Sequence, residues 1–137
     1  PSQSISKLIS KKIVFAGKEI EKNQVQPASL DLRLGQVAWR IRASFLTGKA
    51  RDVSDLLDEF KMHQIDMIEG AVLEKGCVYL IPIEEKLNLP SDLSAVANAK
   101  SSTGRLDLVT RIKTKKGIEF DRITAGYNGQ LFVEICH

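Results

Sequence analysis

Histidine and cysteine are scarce in this chain, two of each among 137 residues, and that scarcity removes whole classes of chemistry. His63 and His137 form no ligand-spaced pair with Cys77 and Cys136, so nothing supports a zinc site. The signature His-x-Glu followed by Pro-Cys-x-x-Cys, which marks a zinc-activated water, is absent. So is the Gly-x-Ser-x-Gly elbow of serine hydrolases. Both cysteines sit inside apolar runs and read as buried, reduced thiols of a cytoplasmic protein rather than as a disulfide framework. Aromatic residues are few: Trp39, Tyr79, Tyr127 and five phenylalanines make no stacking array for nucleic acid. The net charge is only +3, with its positives spread along the chain, which leaves no basic face. The one cluster, Lys113-Thr114-Lys115-Lys116, reads as a solvated hairpin tip. No apolar run reaches membrane-spanning length and no charged-then-apolar leader opens the chain, so no membrane partner is expected. Pro1 is not a methionine, and the natural chain is expected to begin upstream of it.

What is present is enough apolar residue, 43% of the chain, to build the core of one domain. Ile5, Leu8, Ile9 and Ile13 follow helical spacing after Ser2 or Ser4, either of which suits the cap, and predict a short helix ending near Gly17. Ser29 to Gly35 alternates between apolar and charged residues and predicts a half-buried strand, with a second strand over Gln36 to Arg42. Val53, Leu56, Leu57 and Phe60 form a helical stripe behind Asp52, whose charge suits a helix start. Short strands are then expected at 65–68, 71–73 and 77–83, the last near an edge or a strand end because of Pro82, and again at 95–99 and 106–112. Many short strands with two small helices make the fold mostly β, a barrel or a sandwich.

Two pieces carry chemistry. Lys100-Ser101-Ser102-Thr103-Gly104-Arg105 joins two cations, three hydroxyls and a glycine. Its spacing is not that of a P-loop, yet such groups grip phosphate oxygens; a polar loop with a capping serine fits the same residues. The second piece is Glu134 within the apolar strand Gln130 to Cys136. Alternation puts Leu131, Val133 and Ile135 on one face and Phe132, Glu134 and Cys136 on the other, so both faces around the carboxylate are apolar. Desolvation there raises a carboxylate pKa unless a cation or hydroxyl answers it, and equips the group to take and return a proton near neutral pH. A wet-edge position or an arginine partner is the structural alternative. Gly126-Tyr127-Asn128-Gly129 makes a tight turn before this strand, with Arg122 just ahead.

Three ordered blocks carry a resemblance: Gln26-Pro27-Ala28-Ser29-Leu30-Asp31-Leu32-Arg33-Leu34-Gly35, then Lys100 to Leu106, then Asp121-Arg122-Ile123-Thr124-Ala125-Gly126-Tyr127-Asn128-Gly129 through Glu134. In this order they resemble the dCTP deaminases of the trimeric dUTPase superfamily. With the Trp39 to Leu46 passage, they are most similar to the N-terminal half of a long bacterial form with two such domains in tandem.

The resemblance implies a distorted dUTPase-like β-barrel of the β-clip type, one domain over residues 1–137 that lacks the family's C-terminal strands. It also implies hydrolytic deamination of dCTP to dUTP and ammonia, in the supply of dUTP and dTTP. By the same resemblance Glu134 is the catalytic acid/base and Ser101 positions the water. Lys100, Ser102 and Arg105 hold the phosphates, while Phe120, Asp121, Arg122 and Tyr127 meet base and sugar. No catalytic metal is implied; magnesium accompanies the triphosphate, and the assembly is a homo-oligomer, a trimer or a tandem-domain form. Lys100 stands for the family's usual arginine, which removes a bidentate fork. Asp121 stands for a frequent histidine. Thr124 stands where an aspartate activates water in dUTPases, against the alternative of a dUTP diphosphatase. A non-catalytic half that binds nucleotide or supports the barrel is the remaining alternative.

Overall fold

The computed structural model describes residues 1–100 and 108–137. The element order is α1 (Ser2–Ser10), β1 (Val14–Ala16), a 3-10 turn at Lys22–Gln24, β2 (Val37–Ile41), α2 (Val53–Phe60), β3 (Lys61–Asp66), β4 (Val78–Asn88), β5 (Ala95–Val96), β6 (Val109–Lys113), β7 (Arg122–Ile123) and β8 (Asn128–Cys136). The chain is mostly β with two short helices, as its patterning predicts. One sheet runs in the order β3-β2-β4-β8-β6, with β1 paired to the far end of β4, and β5 pairs with β7 apart from it. All these pairings are antiparallel.

Strands β4 and β8 form the centre, and their alternation separates two apolar clusters. Ile81, Ile83, Leu131, Val133 and Ile135 pack on one face with Val14, Ala38 and Leu87, and Leu8 and Ile9 of α1 lean on them. Leu80 and Phe132 lie on the other face with Ile41, Phe45 and the α2 residues Val53, Leu56 and Leu57. Helix α2 starts where Asp52 predicts: its carboxylate accepts from the Asp55 amide at 3.2 Å, and Asp55 accepts from the Asp52 amide at 3.3 Å.

Several elements differ from their pattern. Residues 29–35 form no strand, only isolated bridges at Val25–Leu30 and Leu34–Ile83. A buried side chain takes over from a partner strand: Glu85 accepts from the Arg33 amide at 2.9 Å and from Arg33 Nε at 2.8 Å. Gln24 Nε2 completes that carboxylate at 2.7 Å, so the alternation records a segment wrapped around an acid. Pro82 lies inside β4, neither at an edge nor at a strand end: it pairs with Phe132 as the last residue of the β8 ladder before a register shift, and its carbonyl accepts from the Gly35 amide. Helix α1 ends at Ser10 and is capped by Pro1 without a side-chain bond, and Lys12 enters the left-handed region at φ 55°. Residues 71–73 are irregular, and β5 keeps only two of the five residues expected to be extended. The two cysteines are free but half-buried rather than buried. Among the described residues no helix is long and apolar enough to cross a membrane.

Gly35 fits a close approach that no larger residue tolerates. Its amide donates to the Pro82 carbonyl at 2.7 Å, and a Cβ would sit 2.7 Å from the same oxygen. Gly35→Ala is therefore expected to destabilise the fold by about 1–3 kcal/mol, as overpacking does. Gly17→Ala, with nothing within 4 Å, should leave the urea midpoint unchanged. Equal midpoints for the two variants would refute the steric account.

Candidate active site

Strand β8 sets Glu134 between Leu80 of β4 and Arg111 of β6 in the sheet. Its neighbours along the strand alternate as the sequence predicts, with Phe132 on its own face and Val133 and Ile135 on the other. Glu134 is 4% exposed. The surroundings are oily on both sides, and both a cation and a hydroxyl answer the charge.

The cation is Lys113. Its Nζ lies 3.5 Å from Glu134 Oε2, and its side chain is 1% exposed. The residue expected on a solvated hairpin tip is thus in the core, and Thr114 beside it is buried too; only Lys115 and Lys116 of that cluster are exposed. The cause is the register of β6, where Lys113 pairs with Phe132 and so faces the same side as Glu134. A main-chain carbonyl, Phe45 O, accepts from Nζ at 2.6 Å, and the Phe45 ring centre lies 3.2 Å from the same nitrogen. Burial lowers the Lys113 pKa from 10.5 to about 8, although the Glu134 charge raises it in part.

The hydroxyl is Ser44, which donates to Glu134 Oε2 at 3.1 Å. It belongs to the segment between β2 and α2, which is tied to the turn after β6. The Gly48 amide donates to Gly117 O at 2.9 Å, the Gly117 amide to Thr47 Oγ1 at 2.9 Å, and the Val53 amide to Lys115 O at 3.0 Å. Phe45 stacks on Phe60 of α2 with ring centres 5.1 Å apart, which holds the segment over Lys113.

The two carboxylate oxygens of Glu134 therefore differ. Oε2 has the serine and the lysine; Oε1 is buried with no hydrogen-bond partner among the described residues. Glu85, the other buried acid, has partners on both oxygens. A saturated carboxylate is structural, whereas a buried oxygen left open is costly unless something else engages it.

Among the described residues, none of the other predicted ones hydrogen-bonds or ion-pairs with Glu134. Ser101, Ser102 and Arg105 lie outside the described residues. Lys100 Nζ pairs with Asp31 Oδ2 at 2.8 Å, with its own side chain largely exposed. Asp121 is held by backbone: Oδ1 accepts from the Ile112 amide at 2.7 Å, and the Asp121 amide donates to Ile112 O at 2.8 Å. Its φ of 63° is the left-handed turn that permits this. Phe120 is half-buried under the Arg111 guanidinium, 5.3 Å from the ring centre. Arg122 is exposed and pairs with Glu119 at 3.2 Å. The Tyr127 hydroxyl donates to Gln130 O and accepts from the Lys115 amide at 3.0 Å, and burial raises its pKa above 10.0. A groove of about 280 Å³ between Leu73, Tyr79, Leu108 and Ile135 opens on the face opposite Glu134 and takes no part in this cluster.

Lys113 and Ser44 are the site residues that patterning misses. An acid on an apolar strand demands a counter-charge, which is a signal that a partner exists, but the demand does not say which of the chain's 20 cations supplies it.

The family described as the 2'-deoxycytidine 5'-triphosphate deaminase (DCD) N-terminal domain matches residues 1–137. A dCTP deaminase of Halorubrum lacusprofundi is 33% identical over 118 residues, covering 83% of this chain and 54% of that protein. The dCTP deaminase, dUMP-forming, of Nanoarchaeum equitans is 33% identical over 152 residues, with 97% of this chain and 70% of that protein covered. The crystal structure of 2'-deoxycytidine 5'-triphosphate deaminase from Agrobacterium tumefaciens superimposes with a TM-score of 0.95 at 50% identity, covering 98% of this chain and 39% of that one. The chain thus spans about half the length of the first of these relatives and less of the solved structure.

Breaking the buried pair from one side leaves an unanswered charge or donor. Lys113→Met and Glu134→Leu should each destabilise by up to about 3–5 kcal/mol, and the double variant Lys113→Met/Glu134→Leu should recover most of that loss. Urea denaturation tests the cycle, and strictly additive losses would refute coupling. Alkaline pH gives a second handle. Folded Lys113 releases its proton near pH 8 and the unfolded lysine near 10.5, so the unfolded state binds more protons between those values. Lys113 therefore adds a rising slope to stability there, of at most about 1.4 kcal/mol per pH unit, while below pH 8 its burial cost is fully present. Subtracting the Lys113→Met curve from wild type over pH 8–10 should isolate the slope; identical pH dependence would contradict it.

Proposed function

The chain belongs to the family of the 2'-deoxycytidine 5'-triphosphate deaminase N-terminal domain, and on that ground we propose that, within the full-length protein, it deaminates dCTP to dUTP and ammonia by metal-independent hydrolysis. The observation that carries the reading is the Glu134 carboxylate, buried with one oxygen bonded and the other without a hydrogen-bond partner among the described residues. In this reading Oε1 accepts a proton from water as the water oxygen bonds to cytosine C4. That proton is passed to the exocyclic nitrogen, the C4–N bond breaks and ammonia leaves; the proton left on the C4 hydroxyl moves to N3, which gives the carbonyl of uracil. Ser101 orients the water. Lys100, Ser102 and Arg105 grip the triphosphate, which brings magnesium as part of the substrate.

Phe120, Asp121, Arg122 and Tyr127 border base and sugar. The Tyr127 hydroxyl and Asp121 Oδ1 are bonded to backbone, and in this reading they shape the main chain that meets the nucleotide. Homo-oligomerisation and a cytoplasmic setting belong to the same reading, the latter supported by two free thiols.

One observation favours a second reading, a half that supports the assembly while its tandem partner catalyses: the chain covers only 39% of the solved dCTP deaminase it resembles.

Ammonia release from dCTP by the full-length protein separates the two. Glu134→Gln should lower turnover by about 10²–10⁴-fold, the range for losing a general acid/base. Full turnover in that variant, lost only on changing the other half, would move the chemistry there.

A further inference from the structure

The asymmetry around Glu134 has a built cause. The Lys113 ammonium is placed by partners that do not titrate: the Phe45 carbonyl at 2.6 Å and the Phe45 ring at 3.2 Å. The Glu134 oxygen is farther, at 3.5 Å. The cation therefore keeps its position whether the carboxylate is ionised or protonated. A fixed charge beside a group that gains and loses a proton is electrostatic preorganisation, needing no rearrangement as the reaction proceeds. Ser44 donates to the same oxygen at 3.1 Å, so both supports converge on Oε2. Arg111 is the other charged residue on this face of β6, and its guanidinium lies over Phe120.

We propose that Lys113 is a positioning residue for Glu134: with Ser44 it fixes Oε2, so that proton transfer runs through Oε1 alone. This rests on the deaminase reading above. Lys113 touches no substrate in this scheme; it acts through the acid.

The test uses the full-length protein and dCTP. Lys113→Met should lower kcat at least about tenfold with KM changed less than about threefold, and Ser44→Ala should lower kcat by a smaller factor, the pattern of lost transition-state support. Wild-type kcat in Lys113→Met, with Glu134→Gln inactive, would overturn the proposal and leave the deaminase reading standing. Activity in Glu134→Gln would instead refute that reading. Should Lys113→Met not fold, wild type still decides by carbon NMR of labelled lysine. Its Lys113 Cε resonance should move when dUTP saturates the protein, and an unmoved resonance would overturn the proposal.

Discussion

A charge taken out of water must be answered, and this fold is arranged around answering two of them. Glu134 sits on the central strand pair between two apolar clusters. Its ionised form is tolerable there because Lys113 and Ser44 reach it from β6 and from the segment after β2. Those two elements are themselves tied together through Thr47, Gly48 and Gly117. The interaction thus ties β6, β8 and the approach to α2 into one unit, and the cost of a lone buried charge enforces the register of all three.

Glu85 solves the same problem differently. Arg33 gives it both its amide and its guanidinium, and Gln24 completes the set. That acid fastens residues 24–33 to the sheet and has nothing left to offer a ligand. Asp31, in the same segment, pairs with Lys100 at the entrance of the serine-rich stretch. This surface pair adds little stability, but it links the acid-anchored segment to Lys100.

The legible parts of the fold were those set by period. The alternation in 130–136 placed Glu134 correctly between apolar faces, and the stripe behind Asp52 placed α2 and its cap. Legibility failed where a long-range partner replaced a local rule. Residues 29–35 alternate like a strand, yet Arg33 among them bonds to the side chain of Glu85, 52 residues further in sequence. Pro82 looks like an edge or strand-end residue, yet it pairs with Phe132 in the middle of the sheet. Lys113 reads as surface because three cations in four residues usually are solvated.

By itself the sequence determined the class of fold, the buried acid and the three ordered blocks that mark the family, since each depends on neighbours a few residues away or on residue identity. Only the tertiary structure decided which cation meets Glu134, which hydroxyl it meets and which of its two oxygens they share. Those choices depend on strand register and on a loop crossing 68 residues of separation from Phe45 to Lys113. No local pattern encodes them, because a buried charge specifies that it needs a partner while the packing of distant strands selects it.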